Sequence, residues 1–214
     1  MVRPGLSGLA IFVSTPPAIR ENSRTTSEAK YAVTRAPKPR LTSIIGNVSV
    51  TDHRKTAVAG VRCFVLTISD TRTEVTDTGG RAIADLLAAA GHTVAGRSIL
   101  KDEPDQVRAA LEAQLSNADV DAIVTTGGTG ITSRDTTYEV IAALLDKRLD
   151  GFGELFRMLS YEQVGSAAMM SRAIAGLARR HIVIALPGSE AAVRLAMEKL
   201  VLPELGHMVQ QARR

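Results

Sequence analysis

The chain has 214 residues, of which 45% are hydrophobic and 22% charged, as expected for one globular α/β domain with some additional chain. The net charge of +4 belongs to the first 60 residues, where nine Lys and Arg face three Asp and Glu, whereas the rest of the chain has seventeen against nineteen. This distribution argues against a nucleic-acid partner for the folded domain, and no apolar run is long enough to span a membrane.

The first 57 residues differ in character from the rest. Polar, proline-containing stretches such as "STPPAIRENSRTTSEAK" and "RAPKPRLTS" predict a disordered N-terminal extension over 1–57, followed by one domain over 58–214. The opening "GLSGLAIFV" is a short apolar run without a convincing cleavage site, so a cytoplasmic protein is expected. An alternative remains for "LTSIIGNVSV", which could pair as an edge strand or cover a subunit contact.

Regular elements begin near Val61 and alternate in type. "VRCFVLTIS", "HTVAGRSIL" and "VDAIVTT" predict buried strands, and Cys63 in the first is predicted to be a buried, reduced thiol. Helices are predicted from Asp77 to Gly91, from Pro104, and from "TTYE" (136–139), which has the spacing of a capping box. The order β-α-β-α-β-α predicts a three-layer α/β/α sandwich around a mostly parallel sheet.

The second half is less regular. "FGELFRMLSYEQVG" predicts a helix that ends at Gly165, and "SRAIAGLARRHIVIALPG" predicts a strand, a turn and a strand. "EAAVRLAMEKLVLPEL" predicts an amphipathic helix in which Pro203 marks a break or a new start.

Acids and glycines gather where the first three strands end. Strand one ends in Ser69 and Asp70, strand two is followed by Asp102, and strand three leads through "TTGGTGITSRD" to Asp135. Parallel strands present these turns at one edge of the sheet. Glycine amides can line a phosphate, and Mg²⁺ would reconcile that anion with the carboxylates. The loop fits neither a Walker A motif nor a dinucleotide fingerprint, and a tight turn flanked by solvent-exposed or helix-capping acids is the structural alternative.

Five stretches of the sequence together resemble the MoaB/MogA family of molybdenum cofactor biosynthesis: "ISDTR", "TTGGTGITSRD", "GFGELFRMLS", "SRAIAG" and "ALPGS". The resemblance covers about residues 61–205 and is closer to the MoaB branch of the family. The resemblance implies Mg-ATP-dependent adenylylation of molybdopterin with release of pyrophosphate. It also implies a homotrimer or a dimer of trimers, with other proteins of the pathway as possible partners. A non-catalytic molybdopterin-binding or carrier protein of the same pathway is the alternative.

The resemblance also implies roles for particular residues. The family's two acids match Asp102 and Asp135, which are predicted to be catalytic and to hold Mg²⁺. Because both lie in loops, the fold is expected to depend little on either side chain. The residues predicted to bind substrate or nucleotide are Ser69, Asp70, Gly127, Gly128, Thr129, Gly130, Ser171, Arg172, Pro187, Gly188 and Ser189.

Overall fold

Three βα units open the described part of the chain, which in this computed structural model comprises residues 58–214. The extension predicted over 1–57, including the possible edge strand, lies outside the described residues. The units are β1 (Arg62–Ile68) and α1 (Thr78–Ala89), β2 (Thr93–Leu100) and α2 (Pro104–Leu115), and β3 (Ala122–Thr126) and α3 (Thr137–Leu144).

The second half adds a hairpin and a helical layer. Its elements are β4 (Lys147–Arg148), α4 (Asp150–Val164), a 3₁₀ helix (Gly165–Met170), β5 (Ile174–Ala178), β6 (His181–Leu186), α5 (Glu190–Ala196), a π-helical turn (Met197–Val201) and α6 (Leu202–Ala212). Pro203 lies in the first turn of α6, where a missing amide hydrogen is tolerated. The new start predicted at this proline is therefore observed, and a π-helical turn joins the two helices.

The strands form one sheet in the order β2-β1-β3-β6-β5-β4. The first four are mutually parallel, and β5 and β4 each pair antiparallel to the preceding strand in that order. Arg179 and Arg180, with φ of 45° and 73°, form the turn between β5 and β6. The predicted mostly parallel sheet and the strand-turn-strand segment are therefore confirmed.

The register of the parallel strands decides where the loops meet. Thr126 at the end of β3 is level with Thr67 in β1 and with Leu186 in β6, and Ile68 is level with Leu100 in β2. Four strands therefore end together, and the loops that follow them share the carboxyl edge.

Helices cover both faces of the sheet, which gives the three predicted layers. Val124 of β3 packs into the core beneath α1, α4, α5 and α6, whereas its neighbour Ile123 packs into the core beneath α2 and α3. Cys63 is buried as predicted, and burial raises its pKa to about 12. Within residues 58–214, no helix has both the length and the apolar character needed to cross a bilayer.

Candidate functional site

A cavity of about 470 Å³ opens at the carboxyl edge of the sheet. It lies among the loops after β1, β2, β3 and β6 and the end of the 3₁₀ helix. Every predicted site residue lines it except Ser189: Ser69, Asp70, Asp102, Gly127, Gly128, Thr129, Gly130, Asp135, Ser171, Arg172, Pro187 and Gly188. Ser189 instead caps α5, because its Oγ accepts the amide of Ala192 at 3.3 Å.

Asp102 is the most buried acid among these predicted residues, with 6% of its surface exposed. Its Oδ1 accepts the Thr136 hydroxyl at 2.8 Å, the Thr136 amide at 3.3 Å and the Thr137 hydroxyl at 3.5 Å. The predicted capping box is therefore wrong, since Thr136 makes no side-chain cap within α3 and turns its hydroxyl to Asp102. The expectation that the fold depends little on Asp102 stays a prediction, and the structure adds that this carboxylate contacts the start of α3.

Burial raises the pKa of Asp102, even though the Thr136 hydrogen bonds lower it. Repulsion from Asp135 and Asp70 raises the pKa further. Within residues 58–214, no lysine or arginine forms an ion pair with Asp102 that would offset these effects. The site thus holds a buried carboxylate that no cation from the described part of the chain neutralises.

The glycine loop approaches Asp102 closely. Gly127 and Gly128 have φ of 96° and 63°, which side chains rarely adopt. A Cβ on Gly127 would lie 2.0 Å from the carbonyl oxygen of Ile68, and one on Gly128 would lie 2.3 Å from Oδ2 of Asp102. Only glycine fits at these two positions, and Oδ2 of Asp102 is directed at the loop.

Asp135 organises the other end of the same loop. Its Oδ2 accepts the Thr132 amide at 2.9 Å and the Thr132 hydroxyl at 2.5 Å. The Thr132 hydroxyl is the main reason that the pKa of Asp135 lies below its ordinary value, and the amide of Gly130 contributes. Asp135 is therefore ionised and held within the loop.

Arg134 joins acids from two other loops. It contacts both carboxylate oxygens of Asp70, the shorter distance being 3.0 Å, and Glu103 at 2.9 Å. The Arg134 hydrogen bond lowers the pKa of Asp70, which also accepts the Asp102 amide at 3.3 Å. Sequence reasoning did not single out Arg134, although a cation beside several acids at one sheet edge was a signal that it pairs with them.

Arg172 enters the cavity from the segment before β5. Its Nε donates to the carbonyl oxygen of Thr129 at 2.8 Å, and it also contacts the carbonyl oxygen of Gly130 and the carboxylate of Glu139. Its guanidinium lies 4.8 Å from the centre of the Tyr138 ring.

Asp77 forms part of the cavity wall that the sequence did not predict. It caps α1 as expected, accepting the Gly80 amide at 2.8 Å, and also accepts the Thr67 hydroxyl at 2.9 Å and Arg97 at 3.1 Å. The helix-capping pattern marked Asp77 in the sequence, but its contacts with two strands depend on tertiary packing.

The donor set restricts how a metal could bind. Among residues 58–214, no three His, Cys, Asp or Glu side chains are grouped as a self-contained metal site. Asp102 and Asp135 provide hard oxygen atoms within one cavity, and Mg²⁺ in enzymes commonly uses one or two carboxylates with substrate phosphate and water. The residues therefore fit Mg²⁺ brought in with a phosphate ligand.

Comparison with known proteins agrees with this architecture. Residues 64–207 match the family described as "Probable molybdopterin binding domain". A Bacillus cereus protein named Molybdenum cofactor biosynthesis protein B is 54% identical over 168 residues, which are 78% of this chain and 99% of the relative.

Solved structures give the same relationship. A crystal structure of a Molybdenum cofactor biosynthesis protein B has a TM-score of 0.72 at 53% identity, covering 74% of this chain and 99% of its own. The tungsten cofactor synthesizing protein MoaB from Pyrococcus furiosus has a TM-score of 0.67 at 38% identity, covering 74% and 100%. The chain therefore belongs to the MoaB/MogA family of molybdenum cofactor biosynthesis proteins.

Proposed function

We propose that this chain adenylylates molybdopterin. A terminal phosphate oxygen of the pterin attacks the α-phosphorus of ATP, the bond from that phosphorus to the bridging oxygen breaks, and pyrophosphate leaves. The observation that carries the proposal is Asp102, a buried carboxylate with no ion-pair partner in the described part of the chain, whose Oδ2 faces a glycine loop in the same cavity as Asp135.

The reaction suits what the cavity contains. Phosphoryl-type transfer requires positioning and charge neutralisation more than covalent chemistry, and the attacking phosphate is already nucleophilic. Gly127, Gly128, Thr129 and Gly130 can approach phosphate oxygens with their backbone, while Asp102 and Asp135 would hold Mg²⁺. The bound Mg²⁺ would neutralise the phosphate charge that these carboxylates otherwise repel.

Pyrophosphate release tests this activity. Purified protein with molybdopterin, Mg²⁺ and ATP should release pyrophosphate and form adenylyl-molybdopterin, whereas protein without the pterin should release little. A chain that binds molybdopterin tightly and releases no pyrophosphate above background would instead be a non-catalytic binding or carrier protein of the pathway.

We also propose a homotrimer or a dimer of trimers. Large apolar side chains on α4 and the following 3₁₀ helix are about half exposed or more: Leu155, Met158, Tyr161, Val164, Met169 and Met170. Met158, Tyr161 and Met169 line one shallow depression, so part of this set forms a continuous patch of the kind that subunit interfaces cover.

Light scattering after size-exclusion chromatography tests the assembly. Met158→Asp should yield smaller species, because a charge in a covered apolar contact is costly. Val75→Asp is the matched control, since Val75 is 82% exposed in the loop before α1, away from this patch. An unchanged mass for Met158→Asp would argue against this patch as the interface.

A further inference from the structure

Arg172 connects three separate parts of the chain. It lies between the 3₁₀ helix and β5, and its guanidinium contacts two glycine-loop carbonyls and a carboxylate on α3. The loop and the acid are more than thirty residues away in sequence, so this side chain links regions that no local pattern connects.

The contact with Thr129 fixes the orientation of one peptide group. A peptide bond is planar and trans, so its carbonyl and its amide hydrogen point in opposite directions. The carbonyl of Thr129 accepts Nε of Arg172 at 2.8 Å, and the Gly130 amide on the same peptide contributes to the lowered pKa of Asp135. Arg172 therefore holds the carbonyl side of a peptide plane in the glycine loop, and Asp135 lies close to Gly130 in the same loop.

The other side of Arg172 contacts the first turn of α3. Its guanidinium pairs with Glu139 and lies over the ring of Tyr138. The Glu139 side chain is 59% exposed, so the ion pair alone contributes little. Thr129, in contrast, is only 3% exposed, so its carbonyl lies in a protected part of the loop.

Few donors of Arg172 remain for a ligand. A guanidinium has five N–H groups, and contacts with Thr129, Gly130 and Glu139 use four of them. Arg134 differs, because its partners are the carboxylates of Asp70 and Glu103, each about two-fifths exposed. Arg134 can exchange partners at low cost, whereas Arg172 is tied to the backbone of the loop.

We propose that Arg172 is a positioning residue that fixes the shape of the glycine loop, with Tyr138 and Glu139 as its support on α3, and that it does not serve mainly as a ligand contact. Its effect on catalysis rests on the proposed adenylyl transfer, but its effect on the loop does not. Two measurements therefore distinguish the role of Arg172 in the loop from the proposed adenylyl transfer.

The first measurement is hydrogen exchange over residues 127–137 in the ligand-free protein. Arg172→Ala should accelerate exchange there about tenfold or more, the scale of a lost charged hydrogen bond. Arg172→Lys should behave similarly, because a single ammonium cannot reach both carbonyls and Glu139 together. Glu139→Gln, which keeps the carbonyl contacts, should give a smaller increase. Arg194→Ala, which removes a distant surface pair with Glu190, is the control and should leave loop exchange unchanged.

The second measurement is the kinetics of pyrophosphate release. Both Arg172 variants should lower kcat about tenfold or more, with a smaller change in the KM for ATP, because a misplaced loop loses transition-state contacts. Wild-type loop exchange in Arg172→Ala, or restored ATP affinity and turnover in Arg172→Lys, would overturn the proposal and identify Arg172 as a ligand contact. Should the wild-type protein release no pyrophosphate, the proposed function fails, while the exchange data still decide whether Arg172 orders the loop.

Discussion

Two buried aspartates at opposite ends of the parallel sheet, Asp102 and Asp121, have different kinds of partner. Asp102 at the carboxyl edge and Asp121 at the amino edge are 6% and 9% exposed. The carboxylate of Asp121 accepts hydrogen bonds from the backbone amide of Arg62 at 3.0 Å and from its Nε at 3.1 Å. It also accepts one from the guanidinium of Arg213 at 2.8 Å. Burial acts to raise the pKa of Asp121, but these hydrogen bonds outweigh it and hold that pKa far below its usual range. Among the described residues, Asp102 has hydroxyl and amide donors and no cation, and its pKa is raised.

The two aspartates are similarly buried, so burial does not explain why their pKa values shift in opposite directions. At the amino edge, Arg62 and Arg213 neutralise the charge of Asp121 through ion pairs. At the carboxyl edge, Asp102 has no cationic partner among residues 58–214, as expected of a group that a bound metal or substrate completes. Buried charge alone therefore does not mark a functional site, whereas buried charge without a protein partner beside a cavity is a better indicator.

The largest expected effect is a loss of pyrophosphate release when the negative charge of Asp102 is removed. Asp102→Asn should reduce pyrophosphate release about a hundredfold or more, the scale for losing one electrostatic stabiliser of a transition state. Asn retains acceptor oxygen for Thr136, so circular dichroism should show a folded protein.

Asp121→Asn is the matched variant for this test. It should lower the free energy of unfolding by about 1–3 kcal/mol, because it weakens charged hydrogen bonds to Arg62 and Arg213. Turnover per folded molecule should remain near the wild-type value. Near wild-type turnover in Asp102→Asn would remove Asp102 from the mechanism, and a large turnover loss in Asp121→Asn would undo the contrast.

A second comparison uses two glycines with similar backbone angles. Gly127 at the cavity has φ of 96°, and Gly91 at the end of α1 has φ of 81°. A Cβ on Gly91 meets nothing within 4 Å, whereas one on Gly127 would lie 2.0 Å from a backbone oxygen. Gly91→Ala should cost about 1 kcal/mol, the strain of the left-handed region, and Gly127→Ala about 2 kcal/mol or more because the backbone must also move.

Urea denaturation measures both stabilities, and an Mg-ATP titration measures binding. Gly127→Ala should also weaken nucleotide binding, whereas Gly91→Ala should not. Equal losses of stability and unchanged affinity in both variants would mean that the loop after β3 tolerates displacement.

The smallest expected effect is a pair of opposite pH dependences. The ordinary pKa of an aspartate is 3.8, and that of folded Asp102 is higher. Between these values the folded state holds more protons, so the free energy of unfolding falls as pH rises through this window. The folded pKa of Asp121 lies below 3.8, so its contribution is complete above that value and is lost as pH falls.

Denaturation from pH 3 to 6 would reveal the sign of each dependence. The stability advantage of wild type over Asp121→Asn should shrink below about pH 4. The stability of Asp102→Asn relative to wild type should rise with pH above that value. Slopes of the same sign for both variants would contradict the assignment of a raised pKa to Asp102.

Much of the fold could be predicted from the sequence, because the alternation of strands and helices implies parallel strands whose ends meet at one edge. Alternating strand and helix patterns predicted the parallel sheet, and parallel strands bring Asp70, Asp102 and the glycine loop to one edge. Thr136 was misread because its capping-box spacing is local, while its actual partner lies 34 residues earlier. The partners of Arg172 were equally inaccessible, since they depend on which segments become neighbours after folding.

The strand order also affects how the protein can form. β6 is the last strand in sequence, yet it lies between β3 and β5 in the middle of the sheet. A chain emerging from the ribosome therefore cannot complete its sheet until residues 181–186 are available, and Pro187 and Gly188 reach the cavity only then. Such non-local pairing slows folding, because distant segments must be brought together before the contacts stabilise them. The cavity and the native sheet should consequently appear in the same kinetic phase during refolding.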